Sequence, residues 1–283
     1  MSSKGSIVVT GASSGIGAAC ALGLASRGYG VFAGVRKPDD AKHLEGQASG
    51  DLVGVILDVT DPSSIDAARR RVEDAVPDGA LQGLFNNAGI SINGPLEFIT
   101  PEDMRKQLEV NVVGQLAVTQ AFLPMLRKGK GRIVNTGSVG GFVTTPILGP
   151  YCMSKYAMEA FSDALRLELQ PQGISVSLLE PAAIKTEIWG KGTRDAKVLV
   201  DDPPAGLQER YGSFVAGIQK FAVEGAETAA DPKVVLEAVI HALEADKPKT
   251  RYIMGTGAGQ RRFLRLLPDR LRDRLLLKAL GVG

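Results

Sequence analysis

Short runs of apolar, β-branched residues alternate along the chain with stretches in which apolar residues recur every three or four positions. Seven of these runs have the length of β-strands, and they lie at 6–10, 30–35, 52–57, 83–86, 131–136, 174–179 and 251–254. The stretches between them predict amphipathic helices, as at Ile65, Ala68 and Val72. Because a strand, a helix and a second strand form a right-handed parallel crossover, the pattern predicts one parallel sheet with helices on both faces.

The alternation continues along the 283 residues without a linker rich in Pro, Ser or Gly, so we predict a single doubly wound α/β domain over 1–283. The segment 187–228 contains no strand pattern and carries Asp201-Asp202-Pro203-Pro204. Because so long an insertion is uncommon without a role, we interpret it as a helical substrate lid before the last strand. A variable surface excursion is the alternative. The segment 255–283 is predicted to be a basic amphipathic tail.

Composition narrows the possible functions. The chain is 44 % hydrophobic and 23 % charged, which is typical of a globular protein. Its two cysteines and two histidines have no metal-ligand spacing, so we predict no metal site and a reducing compartment. The sequence shows no leader pattern and no membrane-spanning run, so the expected location is the cytoplasm. The net charge of +2 reflects basic residues concentrated in the tail, and nucleic-acid binding is not predicted.

A glycine-rich turn, Thr10-Gly11-Ala12-Ser13-Ser14-Gly15-Ile16-Gly17, follows the first strand pattern and leads into a helix pattern. Phosphate groups need close approach of the backbone and free N–H groups at a helix start, and glycine permits both. The spacing is GxxxGxG, whereas the common dinucleotide fingerprint is GxGxxG. The turn therefore predicts a site for the pyrophosphate of a dinucleotide.

The end of the second strand distinguishes between the two nicotinamide dinucleotides. Arg36 stands 19 residues after Gly17 and is followed by Lys37. A ribose 2′-hydroxyl is usually held by an acidic residue at this distance, whereas Arg accommodates a 2′-phosphate. We therefore predict that NADP(H) is preferred and that NAD(H) is possible, with a solvated basic strand end as the alternative. Asp58, after the third strand, is expected near the adenine.

Four further groups occur in order after the glycine turn: Asn86-Asn87-Ala88-Gly89, then Asn111, then Ser138, and finally Tyr151 with Lys155 one helical turn later. Together with TGASSGIG, they resemble the short-chain dehydrogenase/reductase family in its compact one-domain branch, over residues 5 to about 187. The resemblance implies a seven-stranded Rossmann sheet, a nicotinamide cofactor and a catalytic tetrad. The sequence departs from the family after the sixth strand, where Pro181-Ala182 replaces the usual Pro-Gly.

The residue assignments follow from the motifs and from this resemblance. The tetrad consists of Asn111, Ser138, Tyr151 and Lys155. The expected cofactor contacts are Gly11, Ser13, Ser14, Gly15, Ile16, Gly17, Arg36, Lys37, Asp58, Val59, Asn87, Ala88, Gly89, Tyr151, Lys155, Pro181, Ala183, Ile184 and Thr186. The expected substrate contacts are Ser138, Phe142, Val143, Ile147, Leu148, Tyr151 and Trp189.

The chemistry of the tetrad is consistent with hydride transfer to a carbonyl. The carbonyl oxygen gains negative charge, so it needs a proton donor and a second hydrogen bond, which Tyr151 and Ser138 can provide. Lys155 lies at i+4 on the same helix face as Tyr151, and its charge would stabilise the phenolate. The resemblance implies that Asn111 holds a water that relays protons to the lysine.

The expected substrate contacts are almost all apolar, which favours a lipophilic ketone or secondary alcohol over a charged substrate. The blocks TGSVGG and YCMSKYAMEAF look most like the hydroxysteroid and retinol dehydrogenase cluster of the family, so a steroid-, retinoid- or aromatic-like substrate is expected. Two alternatives are a catalytically idle dinucleotide-binding sensor and a partner-binding protein. We expect a homo-oligomer. The tail is expected to pack on the protein, with peripheral membrane contact as the less favoured alternative.

Overall fold

The computed structural model describes residues 4–186 and 203–282. Its strands form one parallel sheet of seven in the order β3-β2-β1-β4-β5-β6-β7. The strands are β1 (Ser6–Val9), β2 (Gly30–Val35), β3 (Leu52–Ile56), β4 (Leu81–Asn86), β5 (Arg132–Thr136), β6 (Ser175–Pro181) and β7 (Arg251–Met254). This confirms the seven-stranded parallel sheet, and each predicted strand boundary lies within two residues of the observed one.

Helices cover both faces of the sheet. They are α1 (Gly15–Ser26), α2 (Pro38–Gln47), α3 (Pro62–Ala75), α4 (Pro101–Leu108), α5 (Gly114–Gly129), α6 (Gly149–Leu169), α7 (Leu207–Thr228), α8 (Lys233–Glu244), α9 (Ala258–Arg265) and α10 (Asp269–Ala279). Ile7 and Val9 pack on one face, in a cluster with α1 and α8, whereas Val8 packs on the other with α3 and α5. The strands are mostly apolar because both faces of the sheet are covered.

The strand order places the functional cavity. The chain runs outward from β1 to β3 and then returns to the other side of β1 to form β4. In open α/β sheets the crevice at such a switch point, outside the carboxyl ends of the strands, is where ligands bind. Here the carboxyl end of β1 leads into the glycine turn, and the carboxyl ends of β4 and β5 lead into the segments that carry Asn87 and Ser138.

The C-terminal segment meets α7 rather than the sheet. Leu280 is buried in a small apolar cluster with Ile147, Leu207, Val215 and Ile218. The helices α9 and α10 bury none of their own residues fully, and Phe263, Leu266, Leu271 and Leu275 are exposed. The tail is therefore anchored mainly at its end. Within the described ranges, no helix has the length and apolarity needed to cross a bilayer.

Candidate active site

The glycine turn takes a backbone path that side chains would obstruct. Gly11 and Gly15 have φ angles of 63° and 57°, in the left-handed region that favours glycine. A Cβ at Gly17 would lie 2.2 Å from the Gly11 carbonyl oxygen, so this glycine allows α1 to pack tightly against the turn. The result is an open cradle at the start of α1, which fits a phosphate group.

Hydrogen bonds join this turn to the segment after β4. The Thr10 hydroxyl accepts from the backbone N–H groups of Asn87, at 2.9 Å, and Ala88, at 3.0 Å. The Asn87 amide donates in return to the carbonyl oxygens of Thr10, at 3.2 Å, and Gly11, at 3.3 Å. The two turns are thereby held together as one rigid wall of the crevice.

A single cavity of about 1670 Å³ extends from this wall to the tetrad. It is larger than the roughly 300–1,000 Å³ of an ordinary small-molecule pocket, which leaves room for a dinucleotide and a substrate together. The expected cofactor contacts that line it are Gly11, Ser13, Ser14, Gly15, Ile16, Arg36, Asp58, Val59, Asn87, Ala88, Gly89, Tyr151, Lys155, Pro181, Ala183, Ile184 and Thr186. Gly17 and Lys37 are outside the lining, because Gly17 is packed behind the turn and Lys37 lies at the start of α2.

The end of β2 presents one cation to this cavity. Arg36 is exposed, and it makes no hydrogen bond or ion pair with any residue in the described ranges. Asp58, at the end of β3, instead uses Oδ1 to accept from the N–H of Thr60, at 2.9 Å, and from its hydroxyl, at 2.7 Å. The guanidinium therefore remains available for an anionic group, while this carboxylate oxygen already stabilises the turn.

The backbone after β6 accommodates Ala182 at the position where the resembled family usually has glycine. Ala182 donates from its N–H to the Met254 carbonyl oxygen at 2.8 Å, and Ala183 pairs with Thr256. Neither alanine has a positive φ angle. The backbone path therefore requires no glycine here, and it continues the edge of the sheet toward Thr186 in the cavity wall.

Ser138, Tyr151 and Lys155 come together at the inner end of the cavity. Burial raises the pKa of Tyr151 to about 12, although a hydrogen bond with Ser138 opposes the shift. Lys155 lies with its Nζ 5.6 Å from the centre of the Tyr151 ring and donates to the Thr136 carbonyl oxygen at 2.8 Å. Burial also lowers the pKa of Lys155 to about 8. Tyr151 is thus a neutral phenol near neutral pH, because desolvation outweighs the expected stabilisation of the phenolate.

Asn111 occupies a π-helical turn, Glu109–Val113, between α4 and α5. Its Oδ1 accepts from the Ile90 N–H at 2.8 Å, and its Nδ2 donates at 3.0 Å to both the Ile90 carbonyl oxygen and the Ser154 hydroxyl. The side chain therefore fixes the segment after β4 against α6. The relay of protons to Lys155 through a water stays a prediction.

Two buried polar residues near Asn111 were not identified from the sequence. Gln107 donates to the Ile90 carbonyl oxygen at 2.9 Å and accepts from the Ile92 N–H at 2.7 Å. Ser154 donates to the Tyr151 carbonyl oxygen at 2.7 Å. A signal was present, because Gln107 precedes Asn111 by one helical turn and so shares its inward face.

The substrate side differs from the expected apolar wall. Among the expected contacts, Ser138, Leu148 and Tyr151 line the cavity, whereas Phe142, Val143 and Ile147 do not. The turn Val139–Gly141 directs Phe142 and Val143 into the interior, and Ile147 packs against α7 and Leu280. Trp189 lies outside the described residues. The chain instead brings Ile218 and Phe221 of α7, and Gln260 and Arg261 of α9, to this side.

No cluster of three or more His, Cys, Asp or Glu side chains suited to a metal ion occurs in the part of the chain that the structure describes. Cys152 lines the cavity next to Tyr151, but burial raises the pKa of its thiol. A raised pKa disfavours the reactive thiolate of Cys152.

Comparison with known proteins gives a consistent picture. Residues 6–197 match the family model described as short chain dehydrogenase. The chain is 40 % identical over 273 residues to the uncharacterized oxidoreductase YbbO of Escherichia coli (strain K12), covering 96 % of this chain and 93 % of that protein. It is 36 % identical to the NADPH-dependent 3-dehydrocapnine reductase of Ornithobacterium rhinotracheale, covering 96 % of each. It is 39 % identical to retinol dehydrogenase 16 of Homo sapiens, covering 89 % of this chain and 81 % of that protein.

Solved structures support the same fold. A short-chain dehydrogenase from Streptomyces avermitilis superposes with a TM-score of 0.77 at 26 % identity, covering 99 % of this chain and 97 % of that chain. A variant of the actinorhodin polyketide ketoreductase with NADPH superposes with a TM-score of 0.72 at 28 % identity, covering 89 % of this chain and 96 % of that chain.

Proposed function

The chain belongs to the short chain dehydrogenase family, and we propose that it is an NADP(H)-dependent oxidoreductase acting on lipophilic ketones or secondary alcohols. One observation carries the proposal: the glycine turn opens into the same cavity as Ser138, Tyr151 and Lys155. A dinucleotide held at the turn would thus extend toward a proton donor, which is the arrangement that carbonyl reduction requires.

When bound, the nicotinamide cofactor supplies the hydride. Tyr151 donates a proton to the substrate oxygen as negative charge develops there, and Ser138 donates a second hydrogen bond to that oxygen. Lys155, whose Nζ donates to the Thr136 carbonyl oxygen, orients the phenol. It then supplies a proton to Tyr151 in place of the one that Tyr151 has donated. Carbonyl reduction uses the neutral phenol as its proton donor.

The preference for NADP(H) rests on Arg36. Its guanidinium borders the cavity at the end of β2, where the 2′-substituent of the adenosine ribose is expected. A relative is named for its dependence on NADPH, and a structural neighbour was solved with NADPH, which supports this preference. An Asp or Glu in place of Arg36 would have favoured NAD(H) instead.

The substrate class rests on the apolar part of the cavity and on the names of relatives. Leu148, Ile218 and Phe221 give the substrate side an apolar surface. Relatives include a retinol dehydrogenase and a 3-dehydrocapnine reductase, as their names state. We propose that 187–228 acts as the substrate lid, since its described part, α7, borders the cavity.

Cofactor titration followed by turnover tests this function. NADPH and NADH are titrated by fluorescence, and oxidation of NADPH is then followed with a panel of steroid, retinoid, aryl and long-chain ketones. We expect NADPH to bind more tightly than NADH, and at least one lipophilic class of ketone to be reduced. Ser138→Ala should abolish or strongly reduce the turnover. Tight cofactor binding without turnover of any ketone would support the alternative of a catalytically idle sensor.

We also propose that the protein forms at least a homodimer. Val113 and Leu116 of the α5 region and Met153 and Tyr156 of α6 are exposed apolar or aromatic side chains on neighbouring helices. Light scattering should give a mass of at least twice the 29.8 kDa of one chain. A mass of 29.8 kDa, with salt-sensitive binding to anionic vesicles lost on deletion of 259–283, would instead favour the membrane role of the tail.

A further inference from the structure

One cation on the substrate side has no role in the proposed mechanism. Arg261 of α9 borders the cavity and donates from Nη1 to the Thr145 hydroxyl at 2.9 Å. Its guanidinium carbon lies 5.6 Å from the centre of the Phe221 ring of α7. These two contacts, to a hydroxyl and to an aromatic face, hold the guanidinium in position without neutralising its charge.

Arg261 differs in this respect from two other half-buried arginines, Arg251 and Arg272. Arg251 pairs with Asp163 at 2.8 Å, and Arg272 pairs with Asp269 at 2.6 Å. Arg261 forms no ion pair with a carboxylate in the described ranges. Burial lowers the pKa of its guanidinium, which reflects the cost of removing the charge from water. A buried charge is costly unless a partner group completes its environment.

Arg261 lies near the reacting groups of the cavity. Thr145 lies in the segment between Ser138 and Tyr151, 116 residues away from Arg261 along the chain. The charge of Arg261 also acts on the thiol of Cys152, the neighbour of Tyr151. The guanidinium is therefore near the end of the cavity at which the substrate reacts, and away from the glycine turn.

We propose that Arg261 binds an oxyanion of the substrate, so that the preferred substrate is a lipophilic ketone or alcohol that carries a carboxylate, sulfonate or phosphate group. This inference rests on the proposed function and makes its substrate class more specific. The planar guanidinium offers paired N–H donors that match such an oxyanion, and a low-dielectric wall strengthens the contact. The apolar wall expected from the sequence would have rejected these substrates, whereas the observed wall offers them one buried cation.

A matched pair of probes tests this assignment. The probes are 5-oxo-5-phenylpentanoate, an aryl ketone with a carboxylate, and its methyl ester. For each, kcat/KM with NADPH is measured in the wild type, in Arg261→Met and Arg261→Lys, and in Arg262→Met as the control. Arg262 is an exposed arginine of the same helix outside the cavity lining, so its removal alters the net charge equally.

We expect the wild type to prefer the acid over the ester at least tenfold, because charge-assisted hydrogen bonds are worth about a factor of ten to a hundred. The acid-to-ester ratio should fall by about that factor in Arg261→Met, recover partly in Arg261→Lys and stay unchanged in Arg262→Met. An unchanged ratio in Arg261→Met, or a wild type without preference, would overturn the assignment.

A binding measurement separates this inference from the proposed function. Calorimetry compares 4-phenylbutyrate with 4-phenylbutanol on the NADP⁺-saturated protein, and thermal unfolding checks that each variant is folded. One outcome is that Arg261→Met loses 4-phenylbutyrate binding while the wild type turns over no ketone. This outcome would refute the proposed function and keep the oxyanion site. Ketone turnover without discrimination between the two ligands would refute the oxyanion site and keep the proposed function. Should Arg261→Met not fold, Arg261→Gln, which also removes the charge, carries the same comparison.

Discussion

The two sides of the cavity are built in different ways. The cofactor side consists of two short segments, the glycine turn and the residues after β4, joined mainly through backbone groups and the side chains of Thr10 and Asn87. The substrate side draws on the loop after β5, on α7 and on α9, which are far apart in the chain. We therefore expect the cofactor to be held mainly by backbone geometry, with Arg36 at the edge, and the substrate by side chains from separate segments.

This difference explains why a cofactor site is easier to recognise from a sequence than a substrate site. A pyrophosphate is the same in every dinucleotide, so a fixed backbone cradle serves it and leaves a contiguous pattern in the sequence. Substrates differ, so their contacts are placed on loops and late helices whose side chains can change without altering the sheet. The reaction type is thus easier to infer than the substrate.

The largest effect is expected where the two sides meet. Tyr151→Phe should lower kcat by about 10² to 10⁴, because the proton donor is lost while the ring still packs in place. Stopped-flow reduction of a ketone and fluorescence titration with NADPH measure the two properties separately. Tyr156→Phe, an exposed tyrosine of the same helix, serves as the control. Near-normal turnover in Tyr151→Phe would mean that another group donates the proton.

The second-largest effect is expected from a substitution that alters only the cofactor side. Gly17→Ala places a Cβ 2.2 Å from the Gly11 carbonyl oxygen, so α1 and the turn must move apart. We expect the affinity for NADPH to fall by about a hundredfold, equivalent to about 2.7 kcal/mol.

Gly46→Ala provides the matched control, since nothing lies within 4 Å of the added atom on α2. It should leave NADPH binding intact and stabilise the fold by about 0.4–1 kcal/mol. Equal affinities in the two alanine variants would show that the tight packing behind the turn is unnecessary.

A smaller effect is expected at the edge of the cofactor side. Arg36→Asp removes a charge-assisted contact and adds repulsion toward the 2′-phosphate, so the ratio of NADPH to NADH affinity should fall at least about tenfold. Lys37→Asp, which changes the charge equally outside the cavity lining, should shift this ratio much less. A ratio that responds equally to both substitutions would reflect general electrostatics rather than a specific contact.

The smallest effect concerns a buried carboxyl group behind the substrate side. Glu180, on β6 beside Pro181, is fully buried, and neither of its carboxylate oxygens has a hydrogen-bond partner in the described chain. Burial, together with the nearby Glu159, raises the pKa of Glu180 to about 8. The folded protein then keeps a proton that the unfolded chain has released, so stability should decrease as pH rises from about 4.5 to 8.

Glu180→Gln should remove this decrease, so that the variant is more stable than the wild type at pH 9. Chemical denaturation between pH 5 and pH 9 provides the measurement. Glu244→Gln is the control, because Arg27 lowers the pKa of Glu244 to about 2 and its contribution is lost only as pH falls through that value. A wild-type stability that does not change between pH 5 and pH 9 would contradict the raised pKa of Glu180.

Much of the fold could be predicted from the sequence because it depends on local periodicity. Strands covered on both faces are mostly apolar, and α3 shows its inward face in Ile65, Ala68 and Val72. The candidate site was predictable to the same extent, since the glycine turn and the Tyr-Lys pair each lie within a single turn of backbone. The role of Gly17 in packing α1 could not be predicted, because it depends on the path of Gly11.

The sequence by itself therefore determined the parallel sheet and the glycine turn after its first strand, and the family resemblance implied the grouping of Asn111, Ser138, Tyr151 and Lys155. Only the tertiary structure decided which side chains face the substrate. Phe142 and Val143 turn into the interior, and Arg261 enters the cavity from 116 residues beyond Thr145. The physical reason is that periodicity encodes which face of an element is buried, whereas the position of a late helix over a distant loop depends on packing across the whole fold.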